Sequence, residues 1–131
     1  MWELLLSANI VIAASDNSVI NALNTIMIDR NYSVLIENSN TAALLQVLDQ
    51  NAELLIIDLD MNKNNGLDFI RIVRKTRPRL PIIALAEDPE IETLQEILNM
   101  GVYYWTFKPV LPDEINKFLD AIEEFKKKRG I

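Results

Sequence analysis

The chain has 131 residues, of which 50% are hydrophobic and 24% charged, a balance that suits one globular domain spanning residues 1–131. Its formal net charge of −6 disfavours nucleic acid as a partner, because binding to phosphates requires positive charge. The absence of cysteine and histidine excludes disulfides and thiolate metal sites, and removes the usual general base and the commonest metal ligand.

Five short runs of mostly apolar, β-branched or aromatic residues are predicted to be strands. Their continuous apolarity, as opposed to strict alternation, is typical of strands that are covered on both faces. In chain order they are Ile10–Ala14, Ser33–Glu37, Leu54–Asp58, Ile82–Leu85 and Tyr103–Phe107.

Apolar residues at spacings of three and four predict an amphipathic helix after each strand. Gly101 marks the end of the fourth helix, and the fifth is predicted over Asp113–Lys128, with Pro112 near its start. Parallel strands need helical crossovers, so five alternating strands and helices predict a doubly wound α/β domain: a parallel sheet with helices on both faces.

No apolar run of the sequence reaches the ~20 residues that a membrane-spanning helix needs. The apolar stretch at residues 2–6 is too short, and it lacks the basic start of a secretion signal. We therefore expect a cytoplasmic protein without a membrane partner.

Polar residues follow three of the predicted strands. Ser15 and Asp16 follow the first, Asp58 to Asp60 end the third, and Lys108 follows the fifth. Functional residues of such sheets gather where loops leave the carboxyl ends of the strands. We expect these side chains to converge.

The spacing of these residues resembles that of the receiver domains of two-component response regulators over about Ile10 to Phe125. That family places its phospho-accepting aspartate at the end of the third strand, a methionine three residues later and a glycine eight residues later. Asp58, Met61 and Gly66 match all three positions.

A second motif of the family, a lysine followed by proline after the fifth strand, is matched by Lys108 and Pro109. Trp105 falls where the family often carries an aromatic switch residue. The resemblance implies a flavodoxin-like sheet of strand order 2-1-3-4-5, with Asp58 as phosphoacceptor and Lys108 as the contact to the phosphoryl oxygens. Catalysis of phosphoryl transfer is mainly positioning and charge neutralisation, so a lysine beside the aspartate also has a physical reason.

Two positions depart from the family pattern. Its first strand ends in paired acidic residues that hold magnesium, whereas this chain has Ala14 and Ser15 there, with Asp16 one step beyond. Its fourth strand ends in a serine or threonine switch residue, whereas this chain has Ala86, which cannot donate that hydrogen bond. The family also uses the backbone carbonyl two residues after the acceptor, which is Asp60 here, so the resemblance implies a magnesium site of Asp16, Asp58 and that carbonyl. Magnesium usually takes one or two carboxylates, so we expect weak binding there.

Simpler roles are open for several of these residues. An aspartate near Asn and Gly is often a loop cap, but the matched methionine, glycine and lysine favour the site role for Asp58. We interpret Asp60 as a solvated loop residue whose side chain the family does not use. Asp16 is equally well explained as the N-cap of the first helix, a role compatible with metal binding.

The cluster Tyr103 to Phe107 is most simply packing on an edge strand, or else part of a partner-binding face with the fourth and fifth helices. Our first hypothesis is an atypical receiver, not an enzyme beyond self-phosphorylation and self-dephosphorylation at Asp58. The resemblance implies a sensor histidine kinase or phosphotransfer protein as donor. It also implies a downstream protein, or a second copy, as the target of the fourth and fifth helices.

Two alternatives remain open. A pseudo-receiver would dock or dimerise without phosphorylation, as the changes at Ala14, Ser15 and Ala86 favour. A flavodoxin-like flavin or nucleotide binder would share the architecture. The loop after the first strand is rich in neither glycine nor Ser/Thr, which counts against that binder.

Overall fold

A five-stranded parallel sheet forms the centre of the computed structural model, which describes residues 9–49, 52–61 and 66–128. The apolar stretch at residues 2–6 lies outside these ranges. The strand order is β2-β1-β3-β4-β5, as predicted. The strands are β1 (Asn9–Ala13), β2 (Ser33–Glu37), β3 (Leu54–Asp58), β4 (Ile82–Ala86) and β5 (Tyr104–Phe107), each within one residue of its predicted bounds.

A helix follows each strand, as expected from the apolar spacing. The helices are α1 (Asn17–Asp29), α2 (Asn40–Asp49), α3 (Gly66–Thr76), α4 (Ile91–Asn99) and α5 (Pro112–Lys128). Pro112 is the first residue of α5, where its missing N–H has no helical partner to lose. Gly101 lies just beyond α4 with φ 81°, a left-handed conformation that favours glycine.

The helices bury the two faces of the sheet in separate cores. Helices α2, α3 and α4 pack on one face against residues such as Leu55, Ile57 and Ala84. Helices α1 and α5 pack on the other face against Ile12, Ile56 and similar residues. Strands β3 and β4 are buried along their whole length, which explains their continuous apolar sequences.

The outer strand β2 departs from the expectation that all five strands are covered on both faces. Leu35 and Ile36 are 41% and 38% exposed, because β2 is an edge strand. Strand β5 forms the opposite edge, and only Thr106 within it is buried. The short apolar run therefore predicted the strand β2 correctly, but it did not predict that part of the strand is exposed to solvent.

Arg74 of α3 forms hydrogen bonds both to the loop before β4 and to the end of α4. Its Nε donates to the carbonyl of Met100 at 2.7 Å, and its Nη1 donates to the carbonyl of Leu80 at 2.7 Å. Burial lowers the pKa of this guanidinium from its ordinary value, although Tyr103 acts in the opposite direction. These bonds satisfy carbonyl groups at two loop positions that the sheet leaves unpaired.

Candidate functional site

Asp58 and Lys108 meet at the carboxyl edge of the sheet. Asp58 is the last residue of β3 and is only 4% exposed. Lys108 follows β5, and its Nζ donates to Asp58 Oδ1 at 3.1 Å and Oδ2 at 3.0 Å. Strand β4 separates β3 from β5, so the long lysine side chain bridges one intervening strand. The peptide bond from Lys108 to Pro109 is cis.

The charge of Lys108 is maintained by the acidic groups around it. Burial disfavours the ammonium, but the hydrogen bonds that it donates to Asp60 and Asp58, together with their negative charge, outweigh that effect and raise the pKa of Lys108. The lysine side chain is 13% exposed and the Asp58 side chain 2%. Lys108 thus keeps its positive charge at neutral pH, directly beside the buried side chain of Asp58.

Asp60 is exposed, as expected of a loop residue, but its side chain also takes part in the site, which was not expected. Its Oδ2 lies 2.9 Å from Lys108 Nζ and accepts a hydrogen bond at 2.9 Å from the backbone N–H of Glu87. The Asp60 side chain is 43% exposed, and its own N–H donates to Asp58 Oδ1 at 2.9 Å. The carboxylate turns inward because two donors converge there, one from each neighbouring loop.

The Glu87 N–H is a part of the site that the sequence did not predict. Every residue but proline carries a backbone N–H, so the residue type at position 87 holds no signal. The only available indication was its place directly after β4, at the functional edge of the sheet.

Asp16 acts as the N-cap of α1. Its Oδ1 accepts from both the N–H and the hydroxyl of Ser18, each at 2.8 Å. These hydrogen bonds lower the pKa of Asp16, and the charge of Lys108 contributes in the same direction. The cap role is therefore observed. Asp16 follows β1, so it lies at the same edge of the parallel sheet as Asp58 and Lys108.

The residues that depart from the family pattern lie at the carboxyl edge of the sheet, as expected. Ala14 is fully buried after β1, whereas Ser15 is exposed. Ala86 ends β4 and is 3% exposed, with Phe107 as its register partner on β5. Ala86 places a methyl group where a serine or threonine would offer a hydroxyl.

Met61 and Gly66 have structural reasons for their positions. The N–H of Met61 donates to the carbonyl of Asp58 at 3.1 Å, which closes a turn directly after β3, and its side chain packs on the core. A Cβ added to Gly66 would lie 3.1 Å from Leu59 Cδ2, closer than ordinary packing allows. The glycine lets α3 start close against the loop that carries Asp60.

Trp105 packs on the core of the α2–α4 face and is partly buried. Its register partner is Ala84, and its ring meets that of Phe107 edge to face at 5.1 Å between centroids. Phe107 is 55% exposed and Tyr103 71%, so the aromatic cluster is partly core and partly surface. A switch role for Trp105 and Ala86 stays a prediction.

Oxygen donors for a magnesium ion are few at this edge. Across residues 9–49, 52–61 and 66–128, no group of three or more acidic side chains is placed to hold a metal. Asp58, Asp16 and the main-chain carbonyl of Asp60 would offer oxygen, the ligand that magnesium prefers, and one or two carboxylates are its usual protein share. Weak magnesium binding by these residues stays a prediction.

The fold and the site together define a class: flavodoxin-like α/β domains whose functional residues meet at the carboxyl edge of a 2-1-3-4-5 sheet. The model of the response regulator receiver domain family matches residues 10–120. The chain belongs to this family, and it is a receiver domain of two-component phosphorelay signalling. Receiver domains are signalling modules that interact with histidine kinases or phosphotransfer proteins, and they typically bind magnesium at the phosphorylation site.

Similar proteins include the transcriptional regulatory protein ZraR of Escherichia coli (strain K12), 25% identical over 86% of this chain and 25% of ZraR. The transcriptional regulatory protein CitT of Bacillus subtilis (strain 168) is 33% identical over 70% of this chain and 38% of CitT. The chain thus spans about a quarter to two fifths of these relatives.

The fold is also that of the crystal structure of a CheY-like response regulator receiver domain protein from Methanospirillum hungatei JF-1. Its TM-score is 0.83 at 22% identity, covering 93% of this chain and 98% of that chain. Among the described residues, none of the helices is long and apolar enough to cross a membrane. The expected cytoplasmic location stays a prediction.

Proposed function

We propose that Asp58 accepts a phosphoryl group from a sensor histidine kinase or phosphotransfer protein, and that this single domain, residues 1–131, then signals through protein contacts. One observation carries the proposal: Lys108 Nζ lies within 3.1 Å of both carboxylate oxygens of buried Asp58. This pair couples a nucleophile to a fixed positive charge at the functional edge of a receiver fold.

The transfer itself requires little from the protein. An oxygen of Asp58 attacks the phosphorus of the donor, and a new phosphorus–oxygen bond forms as the bond to the donor's leaving group breaks. The electrons of the broken bond depart with that leaving group. Lys108 neutralises charge on the phosphoryl oxygens. Water later hydrolyses the acyl phosphate, which restores the carboxylate of Asp58 and releases inorganic phosphate. Activity is limited to this self-phosphorylation and self-dephosphorylation.

The reaction is expected to be slow. Ala86 donates no hydrogen bond to a phosphoryl oxygen, and Ala14 and Ser15 replace the acidic pair of the family. Asp58, Asp16 and the Asp60 carbonyl would hold magnesium weakly. When bound, that ion adds positive charge against the phosphoryl oxygens. Loss of one such stabilising contact lowers a rate by roughly a hundredfold or more.

The test is the intact mass of the protein after incubation with a small acyl phosphate and magnesium. We expect a slow gain of one phosphoryl group, absent from Asp58→Asn. A Trp2→Phe background leaves Trp105 as the only tryptophan, so its emission reports any change near the site. No adduct on the wild-type chain, at any magnesium concentration, would reject the phosphoacceptor role.

A second candidate is a docking or dimerisation module that works without phosphorylation. Apolar side chains exposed on α4, on β5 and beside them favour it, namely Ile91, Leu98, Tyr103, Phe107 and Leu111. Strand β5 forms the edge of the sheet opposite β2. The net charge of −6 also supports a protein partner.

Light scattering after size exclusion tests the self-association form of this candidate. A dimer that Phe107→Ser dissociates, with no phosphodonor present, would support it. Leu35→Ser on the opposite edge is the matched control, since Leu35 is also an exposed apolar residue of an edge strand. A chain that is monomeric at every concentration would exclude constitutive dimerisation.

A further inference from the structure

One oxygen of Asp60 engages two donors from different parts of the fold. Its Oδ2 lies 2.9 Å from Lys108 Nζ, which follows β5, and 2.9 Å from the backbone nitrogen of Glu87, which follows β4. An ammonium group and a backbone N–H aimed at the same point are the donors of an oxyanion-binding site. Asp60 fills that site with a carboxylate of its own chain.

The occupied position is also where a phosphoryl group would need its donors. Lys108 Nζ binds Asp58 Oδ1, Asp58 Oδ2 and Asp60 Oδ2 at 2.9 to 3.1 Å, so the two carboxylates share one cation. A phosphoryl group on Asp58 would bring further negative oxygens to Lys108. Ala86 adds no hydroxyl donor, which leaves the Glu87 N–H as the neighbouring donor from β4.

We propose that Asp60 is an internal anion that occupies the donors of the phosphoryl oxygens, so that it must leave Lys108 and Glu87 before Asp58 can be phosphorylated. The inference rests on the proposed function of Asp58 as acceptor. Asp60 keeps both contacts although its side chain is 43% exposed. The domain thereby carries its own competitor for the incoming group.

The size of the effect follows from the contacts that must break. An ion pair and a charge-assisted hydrogen bond close the site, and solvent weakens both because Asp60 is half exposed. Only molecules in which Asp60 has left Lys108 and Glu87 can react, so the phosphorylation rate is proportional to the fraction of such molecules. We expect release of Asp60 to raise the phosphorylation rate of Asp58 about tenfold.

Kinetics of adduct formation with a small acyl phosphate, in saturating magnesium, test this expectation. Asp60→Ala removes the competing carboxylate, and Asp60→Asn keeps the side-chain shape while removing its charge. Asp60→Ala is expected to react about tenfold faster than the wild-type chain. Asp60→Asn, whose amide oxygen still accepts hydrogen bonds but carries no charge, is expected to react at an intermediate rate. Asp88→Asn is the matched control. Its exposed carboxylate lines the same cleft as Asp60, and it makes no ion pair with Lys108 in the described structure.

Rates that are unchanged or lower in both Asp60 variants would overturn the proposal, and so would an equal acceleration in Asp88→Asn. The last result would mean that general charge at the cleft, not occupation of the donors, controls the rate. Amide spectra of every variant confirm that it is folded.

An independent arm separates this proposal from the acceptor role of Asp58. Inorganic phosphate is titrated into the wild-type chain and into Asp60→Ala, and the amide resonance of Glu87 is followed by NMR. We expect a saturable shift of Glu87 in Asp60→Ala and none in the wild type over the same range. If no variant forms an adduct, this result still supports the internal anion. An identical response of the two chains overturns it.

Discussion

Replacement of Lys108 by methionine tests how strongly the ion pair between Lys108 and Asp58 stabilises the fold. The variant keeps most of the side-chain volume but leaves Asp58, whose side chain is 2% exposed, without its cation. Removal of one partner from a buried ion pair costs about 3–5 kcal/mol, because the other charge remains desolvated. The Asp60 N–H still donates to Asp58, and Lys108 itself is 13% exposed, so we expect a loss of about 3 kcal/mol.

The double variant Asp58→Asn/Lys108→Met separates this charge effect from simple loss of packing. With both charges absent, no uncompensated carboxylate remains at position 58, and we expect stability within about 1 kcal/mol of the wild type. The assay is urea unfolding at neutral pH without magnesium, followed by circular dichroism. The reasoning is refuted if Lys108→Met costs less than about 1 kcal/mol, or if the double variant is as unstable as the two single losses added together.

The pH dependence of this difference has a defined sign. The folded-state pKa of Lys108 is raised above its ordinary 10.5, because its two carboxylate partners outweigh its burial. A group of this kind contributes stability in full below its unfolded pKa and loses that contribution as the pH rises through the folded value. The difference in the free energy of unfolding between wild type and Lys108→Met should stay constant across the neutral range and decrease only above about pH 10.5.

Three further outcomes follow. Asp16→Ala should lower the free energy of unfolding and Asp16→Asn should largely restore it, since asparagine also caps helices. Because the pKa of Asp16 is lowered, the wild-type advantage over Asp16→Ala should be present above about pH 3.8 and decline as the pH falls below it, as thermal unfolding would show. Arg74→Met should cost about 2 kcal/mol in urea unfolding, because two part-buried carbonyls lose a charged donor. Arg71→Met, whose ion pairs are half exposed, should cost under about 1 kcal/mol. The Arg74 expectation fails if the two variants unfold alike.

The sequence predicted the order and bounds of the elements because each strand is a continuous apolar run and each helix has apolar residues three and four apart. Those patterns report burial of a face, which dominates folding. They do not reveal which strand lies at an edge. Leu35 and Ile36 therefore look like buried strand residues in the sequence and are exposed in the fold.

The site was predictable where it depends on strand ends and not where it depends on side-chain direction. Asp58 and Lys108 each end or follow a strand of one parallel sheet, and their convergence follows from topology. The inward turn of Asp60 depends on the Glu87 N–H, contributed by a loop that is distant in sequence and has no distinctive residue type. No pattern within the stretch from Asp58 to Gly66 contains that information.

The acceptor role of Asp58 is tested most directly by chemical identification of the phosphorylated residue. The chain is incubated with a small acyl phosphate and magnesium, then treated with borohydride, which reduces an aspartyl phosphate to homoserine, and mapped by tandem mass spectrometry. We predict homoserine at position 58 and at no other aspartate, with none in the Asp58→Asn chain. Homoserine at Asp60 or Asp16, or at no position, would contradict the account.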